Sequence, residues 1–267
     1  MKKRELGRTG ISVSEIALGC RWLNKGGAAV LKAAREAGIT HLDTAAGYSG
    51  SEQIIGEYLQ ESGWNPVISS KVWASEEGAI RTALEKSLKL LNRQFIDIYL
   101  IHNPVDTEKA LPVFLKLKSE GLIKAVGICG WHGDGANVLK FIDTGDVDVI
   151  QIALTIAHRS MVDGGVIAAA AKKNVGVQVM SPMAKGLLTG EHPVLAPLAP
   201  YGIKTLEQAS FRYILDNVEY VTILPGTSKP DRISEFASVS EMKSVPVDLW
   251  EKVLAAIDGN PELQKLP

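Results

Sequence analysis

From residue 15 onward, short apolar runs alternate with longer stretches whose apolar residues recur every three or four positions. The runs are "EIALG" (15–19), "THLDTA" (40–45), "PVISSKV" (66–72), "DIYLIHN" (97–103), "KAVGICG" (124–130), "VDVIQIAL" (147–154), "VGVQVMSP" (175–182) and "YVTILPG" (220–226). They are rich in β-branched residues, and each predicts a strand. The longer stretches predict helices: Ile80, Ala83, Leu84, Leu88 and Leu91 keep helical spacing. Ser49 and Glu52 fit a capping box ahead of the apolar face Ile54, Ile55, Tyr58 and Leu59. Eight strands alternating with helices predict an α/β fold, a (β/α)8 TIM barrel. The leading "RELGRTGISVSEI" alternates like a β-hairpin that closes the bottom of the barrel. Helices near 230–239 and 247–258 follow the last strand, so the barrel carries an extra C-terminal helix. A doubly wound sheet is the competitor, but no G-x-G-x-x-G follows the first strand. "GWHGDGAN" (130–137) lacks the third glycine and reads as a loop. With no low-complexity linker, residues 1–267 read as one domain.

Composition narrows the setting. A net charge of -1 and the lack of a dense Lys/Arg block argue against a nucleic-acid surface. No apolar run reaches the roughly 18 residues of a membrane span, and "MKKRELGRTG" has no apolar segment behind its basic residues to make a signal peptide. Cys20 and Cys129 are the only cysteines. They form neither a metal-type cluster nor a disulfide framework, which predicts a soluble chain in a reducing cytoplasm and no metal site.

Barrel enzymes build their sites from the C-terminal ends of different strands. Those ends carry Asp43, Lys71 and His102, with Tyr48 just beyond Asp43. Each alone has a bland explanation: a turn-capping Asp, a Lys reaching solvent, a hydrogen-bonded structural His, a loop aromatic. Together they form a proton-delivery site. Asp43 and Lys71 compensate each other on neighbouring strands, and Lys71 is expected to lower the pKa of Tyr48. Tyr48 would then protonate a developing alkoxide while His102 hydrogen-bonds the same oxygen. A hydride source is the part still needed.

These motifs resemble the aldo-keto reductase family, and the match runs over nearly the whole chain. "LDTAAGYSGSE", "ISSKVW" and "DIYLIHNP" resemble its Asp/Tyr, Lys and His segments; "VMSPMAKGLLTG" and "ILPGTSKPDRISE" resemble its two cofactor-binding segments. The resemblance implies catalytic roles for Asp43, Tyr48, Lys71 and His102, and a nicotinamide cofactor extended over the barrel mouth, NADPH/NADP+ rather than NADH. It assigns Gln151 to the nicotinamide carboxamide, with Met180 at the ring. Ser181, Met183, Lys185 and Leu187 fall at the pyrophosphate. Gly226, Thr227, Ser228, Lys229 and Arg232 fall around the adenosine 2′-phosphate, with Glu235 near adenine. Cys129-Gly130 stands where the family usually has Ser-Asn, Met180 where it often has an aromatic, Phe236 where an Asn is common, and Gly226 where many relatives have Lys.

The implied reaction is reduction of an aldehyde or ketone to an alcohol, on a small-molecule carbonyl substrate. Trp22, Trp73 and Trp131, with Met183, are expected to line an apolar pocket, and residues 186–204 are the longest candidate lid. The alternative is a non-catalytic NADP(H)-binding regulatory or structural protein on the same fold. A Schiff-base Lys71 is a weaker enzyme reading, because a neighbouring Asp43 would hold the amine protonated.

Overall fold

The structure, a computed structural model, describes residues 1–24, 26–103, 106–131 and 133–265. An antiparallel hairpin, β1 (Lys3–Glu5) and β2 (Ser12–Ser14), comes first. Eight parallel strands follow: β3 (Leu18–Gly19), β4 (His41–Asp43), β5 (Val67–Val72), β6 (Ile96–Ile101), β7 (Ile123–Gly130), β8 (Val149–Ala153), β9 (Gly176–Met180) and β10 (Val221–Leu224), each paired with the next. Parallel bridges at Ile16–Ile223 and Gly19–Gly226 bring the last strand back to the first. The strands thus fall where the apolar runs place them.

Helices cover the outside: α1 (Gly27–Glu36), α2 (Ser51–Ser62), α3 (Glu77–Leu90), α4 (Thr107–Ser119), α5 (Gly135–Thr144), α6 (Ser160–Asp163), α7 (Val166–Lys172) and α8 (Leu206–Asn217). After β10 come α9 (Asp231–Ser238), α10 (Val247–Asp258) and the short α11 (Pro261–Gln264). None of the described helices is long and apolar enough to cross a membrane. The two-residue alternation of the strands sorts their side chains. Outward residues such as Ile68, Ile101, Val126, Ile150 and Val177 share one large core with Leu31, Leu84, Phe114 and Ile142 of the helices. Inward residues Ile98, Leu100, Ala125 and Val149 meet Leu6 and Val13, which plug the bottom of the barrel. The hairpin therefore does the closing expected of it.

Three local expectations are corrected. Ser49 does not cap α2. Its N-cap is Gly50, whose φ of 73° suits a glycine, and Glu52 turns inward to accept from Ser70 Oγ (2.7 Å) and Ser87 Oγ (3.1 Å). Burial still pushes the Glu52 carboxyl above its usual range, and the two hydroxyls offset only part of that. The capping box lies instead at Thr205 and Gln208, at the start of α8. Residues 135–137, read as loop, are the first turn of α5. Finally, much of the expected lid is packed: Pro193–Tyr201 is a 3-10 segment with Leu195 and Leu198 buried. Only residues before it border the mouth.

Candidate active site

The strand register opposes Asp43 to Ser69, not to Lys71. Lys71 lies one inward position further along β5 and reaches back with its long arm. Its Nζ donates to Asp43 Oδ1 (2.8 Å), Asp43 Oδ2 (2.7 Å) and the Thr44 carbonyl (2.6 Å). All three N–H donors of the ammonium are thus engaged. Lys71 is only 1% exposed. Burial alone would push the ammonium down, but Asp43 and Tyr48 more than offset it, and its pKa lies above the usual value. A lysine held protonated in this way is a poor Schiff-base nucleophile.

Below the pair runs a chain of buried polar contacts. Gln151 Nε2 donates to Asp43 Oδ1 (2.8 Å) and to Gln178 Oε1 (2.7 Å). Gln178 Nε2 donates to Ser69 Oγ (2.7 Å), which also meets His41 Nε2 at 2.7 Å. Both amide hydrogens of Gln151 are therefore committed, and Oε1, 3.8 Å from Cys129 Sγ, is the atom left to accept from a ligand.

Tyr48 is carried by the turn between β4 and α2. Tyr48 N donates to the Ala45 carbonyl (2.9 Å), Ala46 N to the Lys71 carbonyl (2.9 Å), and Ser51 N to the Tyr48 carbonyl (3.1 Å). The Ser51 hydroxyl ties the turn to the Cys20 carbonyl (2.9 Å). The Tyr48 ring centre lies 5.2 Å from Lys71 Nζ and 6.1 Å from the His102 ring, edge to face. Trp73 also packs against His102, its ring tilted, with centres 5.3 Å apart. Burial pushes the Tyr48 phenol above its ordinary pKa, and outweighs the downward pull of Lys71. The expected net lowering is thus reversed, because Tyr48 sits deeper than a loop position implies.

Both histidines near the site are held neutral. Burial, reinforced by Lys71, pushes His41 down to about 3. Burial, then Lys71 and Arg21, pushes His102 down to about 4. Folded values below the ordinary 6.5 mean that the unfolded chain binds protons the folded chain refuses. Stability is therefore full above about pH 6.5 and declines as pH falls toward 4. At pH 5 each histidine is expected to contribute about 2 kcal/mol less than at pH 7. Urea unfolding at the two pH values checks this, and His102→Asn should lose correspondingly less between them. Equal losses in variant and wild type would contradict it.

One cavity opens on this centre, and a second is lined by residues 189–190, 205–211 and 232–239. The larger, about 560 Å³, is lined by Arg21, Trp22, Asp43, Tyr48, Trp131, Gln151, Met180, Ser181, Met183, Lys185 and Gly226, among others. The smaller, about 420 Å³, is lined by Thr189, Gly190, Glu207, Gln208, Phe211, Arg232, Glu235 and Phe236, with Thr205 and Val239. Of the predicted cofactor residues, Leu187, Thr227, Ser228 and Lys229 border neither; Leu187 is 59% exposed. Trp73 and His102 also lie outside the larger cavity's lining, and Lys71 is beneath its floor. Sequence reading missed Arg21, Gln178 and Glu207. Glu207 accepts from Gly190 N (2.8 Å) and Arg232 Nη2 (2.8 Å), while Arg232 Nε also pairs with Glu235 at 3.1 Å.

The departures from the family pattern have packing causes. A Cβ on Gly130 would come within 2.5 Å of Val138 Cγ2, so α5 leaves no room for an Asn. A Cβ on Gly226 would meet the Gly19 carbonyl and Trp22 Cδ1, each at 3.2 Å, so Trp22 occupies the space of a longer residue there. Phe236 packs against Phe211 with ring centres 5.6 Å apart, and the Arg232 guanidinium lies 5.2 Å from its ring centre. At the larger cavity, the lining residues Ser181 and Lys185, with the buried Ala184, adopt left-handed backbone, with φ of 53°, 57° and 46°. Three strained non-glycine residues within five positions mark a loop shaped for something other than packing. These features fit a dinucleotide: a strained loop and an acceptor, Gln151 Oε1, in one cavity and a guanidinium, Arg232, in the other.

Residues 26–256 match the aldo/keto reductase family, and the chain belongs to it. As a member it is a nicotinamide-dependent oxidoreductase. The chain is 31% identical over 243 residues to the methylglyoxal reductase DkgA of Escherichia coli K12, covering 87% of this chain and 85% of that one. It is 26% identical over 306 residues to the NADH-specific methylglyoxal reductase of the same organism, covering 88% and 92%. An aldo/keto reductase structure from Klebsiella pneumoniae, in complex with NADP and acetate, aligns at a TM-score of 0.83 and 19% identity. That match covers 100% of this chain and 99% of that one, and it is a likeness of fold.

Proposed function

We propose that the protein reduces an aldehyde or ketone to an alcohol with NADPH, and that Tyr48 is the general acid. The observation that carries this reading is the buried Lys71–Asp43 pair directly beneath Tyr48, at the floor of a cavity. Bound in the cavities, the nicotinamide cofactor supplies the hydride. Tyr48, kept protonated at neutral pH, gives its proton to the carbonyl oxygen. Lys71 then stabilises the tyrosinate left behind, and Asp43 keeps Lys71 charged and fixed. His102, neutral, offers an N–H to orient the same oxygen. Gln151 would hold the nicotinamide carboxamide through Oε1, since both its amide hydrogens are committed to Asp43 and Gln178. Buried, unpaired Cys20 and Cys129 fit a protein working in the cytoplasm. A screen of NADPH oxidation across methylglyoxal, simple aldehydes, ketones and sugars tests the reading; no turnover with any of them would overturn it.

NADPH is the proposed cofactor because Arg232 stands in the smaller cavity with part of its guanidinium fork uncommitted, suited to a 2′-phosphate. Its ion pairs with Glu207 and Glu235 compete for that role, so the preference is expected to be moderate. Arg232→Ala should weaken NADP+ binding by about 1.5–3 kcal/mol, the range of a charged hydrogen bond, and leave NAD+ binding nearly unchanged. Titration calorimetry with both nucleotides reads this directly. Equal losses for the two would remove Arg232 from phosphate recognition.

A further inference from the structure

Arg21 belongs to a single 3-10 turn, Cys20–Trp22, at the end of the first barrel strand. Its guanidinium carbon lies 5.4 Å from the centre of the Trp22 ring and 5.6 Å from that of Tyr48. All three side chains line the larger cavity. Among the described residues Arg21 makes no ion pair. The other charges around that cavity have assignments. Asp43 is neutralised by Lys71, and Lys185 stands on the strained loop assigned to the pyrophosphate. One cation is left over, and it sits beside the acid. Its field reaches the reacting groups: it adds a small downward pull on His102, already lowered by burial and Lys71, and on Tyr48, where burial wins and the net shift stays upward.

A guanidinium placed against two aromatic rings is well suited to anion capture. Its fork matches a carboxylate in a bidentate contact, and the rings hold its plane, so less side-chain entropy is lost on binding. Trp22 and Trp131 add apolar lining beside it, at an open mouth where Arg21 and Trp22 are both exposed and an incoming anion reaches the guanidinium directly. We propose that Arg21 is a substrate-recognition residue that binds a carboxylate, so that the preferred substrates are short oxo-acids, carbonyl compounds carrying an acid group a few bonds from the carbonyl. The inference rests on the reading of Tyr48 as the acid, since that fixes where the carbonyl oxygen lies. A neutral aldehyde of the same size would leave the cation without a partner.

The test compares acids with their esters: 4-oxobutanoate against methyl 4-oxobutanoate, and 4-formylbenzoate against methyl 4-formylbenzoate. NADPH oxidation is followed with wild type, Arg21→Met and Arg21→Lys. Wild type should favour each acid over its ester by about tenfold or more in kcat/KM. Arg21→Met should abolish that ratio, chiefly through KM for the acids, and Arg21→Lys should keep part of it. Binding of 4-(hydroxymethyl)benzoate to the NADP+ complex, read by tryptophan fluorescence, gives a second measure that needs no turnover. It should weaken about tenfold in Arg21→Met, while NADP+ binding itself stays constant. A wild-type preference for the esters would overturn the inference. So would a parallel loss for acid and ester with weaker NADP+ binding, which would make Arg21 a cofactor anchor. If no compound is reduced yet the acid binds through Arg21, the reductase reading fails and the carboxylate site stands.

Discussion

Tyr48→Phe is expected to lower kcat for carbonyl reduction by about 10²- to 10⁴-fold, the usual contribution of a positioned general acid. The substitution removes one oxygen and little else. The turn that carries Tyr48 is held by backbone hydrogen bonds and by Ser51, not by the phenol. The ring contacts with His102 and the Arg21 guanidinium survive in a phenylalanine. Fold and NADP+ affinity should therefore match the wild type, and the loss should lie in kcat, not in cofactor binding. Because burial raises the Tyr48 pKa, wild-type reduction should hold steady through neutral pH and decline only on the alkaline side. Stopped-flow NADPH oxidation at saturating cofactor measures both points. Near-normal turnover in Tyr48→Phe would remove Tyr48 from the mechanism.

Lys71→Met is expected to do two kinds of damage at once. It strips the cation that stabilises the tyrosinate, so activity should fall at least as far as in Tyr48→Phe. It also leaves the Asp43 carboxylate buried, with Gln151 as its remaining side-chain donor. An uncompensated buried charge of this kind costs about 3–5 kcal/mol, enough to lower the urea midpoint visibly. The double variant Asp43→Asn with Lys71→Met separates the two effects. Removing both charges should restore most of the stability while leaving the enzyme inactive. If Lys71→Met alone kept wild-type stability, the ion pair would not be the buried compensation argued here. If the double variant recovered activity, Lys71 would have no electrostatic role in the acid.

Strand positions were legible because a buried parallel sheet needs continuous apolar runs, and eight of them alternate with helical spacing. The Asp43–Lys71 partnership followed from the cost of an isolated buried carboxylate. Its geometry did not: the register sets Asp43 opposite Ser69, and only the length of the lysine arm brings the charges together. Depth was the main thing hidden. Nothing in "AAGYSG" says that Tyr48 will be buried enough to raise its pKa, or that Glu52 will face two serines inside the wall. Gln178 and Glu207 were missed for a related reason: each looks like an ordinary polar residue in its own segment. They gain meaning from partners far away in sequence, Gln151 and Ser69 for one, Gly190 and Arg232 for the other. Arg21 was passed over because a lone arginine in a loop reads as solvated until its two aromatic neighbours are placed.

The central claim is that hydride reaches a carbonyl carbon in this site while Tyr48 supplies the proton. Single-turnover reduction of benzaldehyde with NADPH deuterated at the transferring C4 position tests it directly. The account predicts one deuterium on the carbinol carbon for each NADPH consumed in the wild type, and a drop in that transfer rate of at least 10²-fold or thereabouts in Tyr48→Phe. NADPH consumed without label in the alcohol, or label transferred equally fast in the variant, would contradict it.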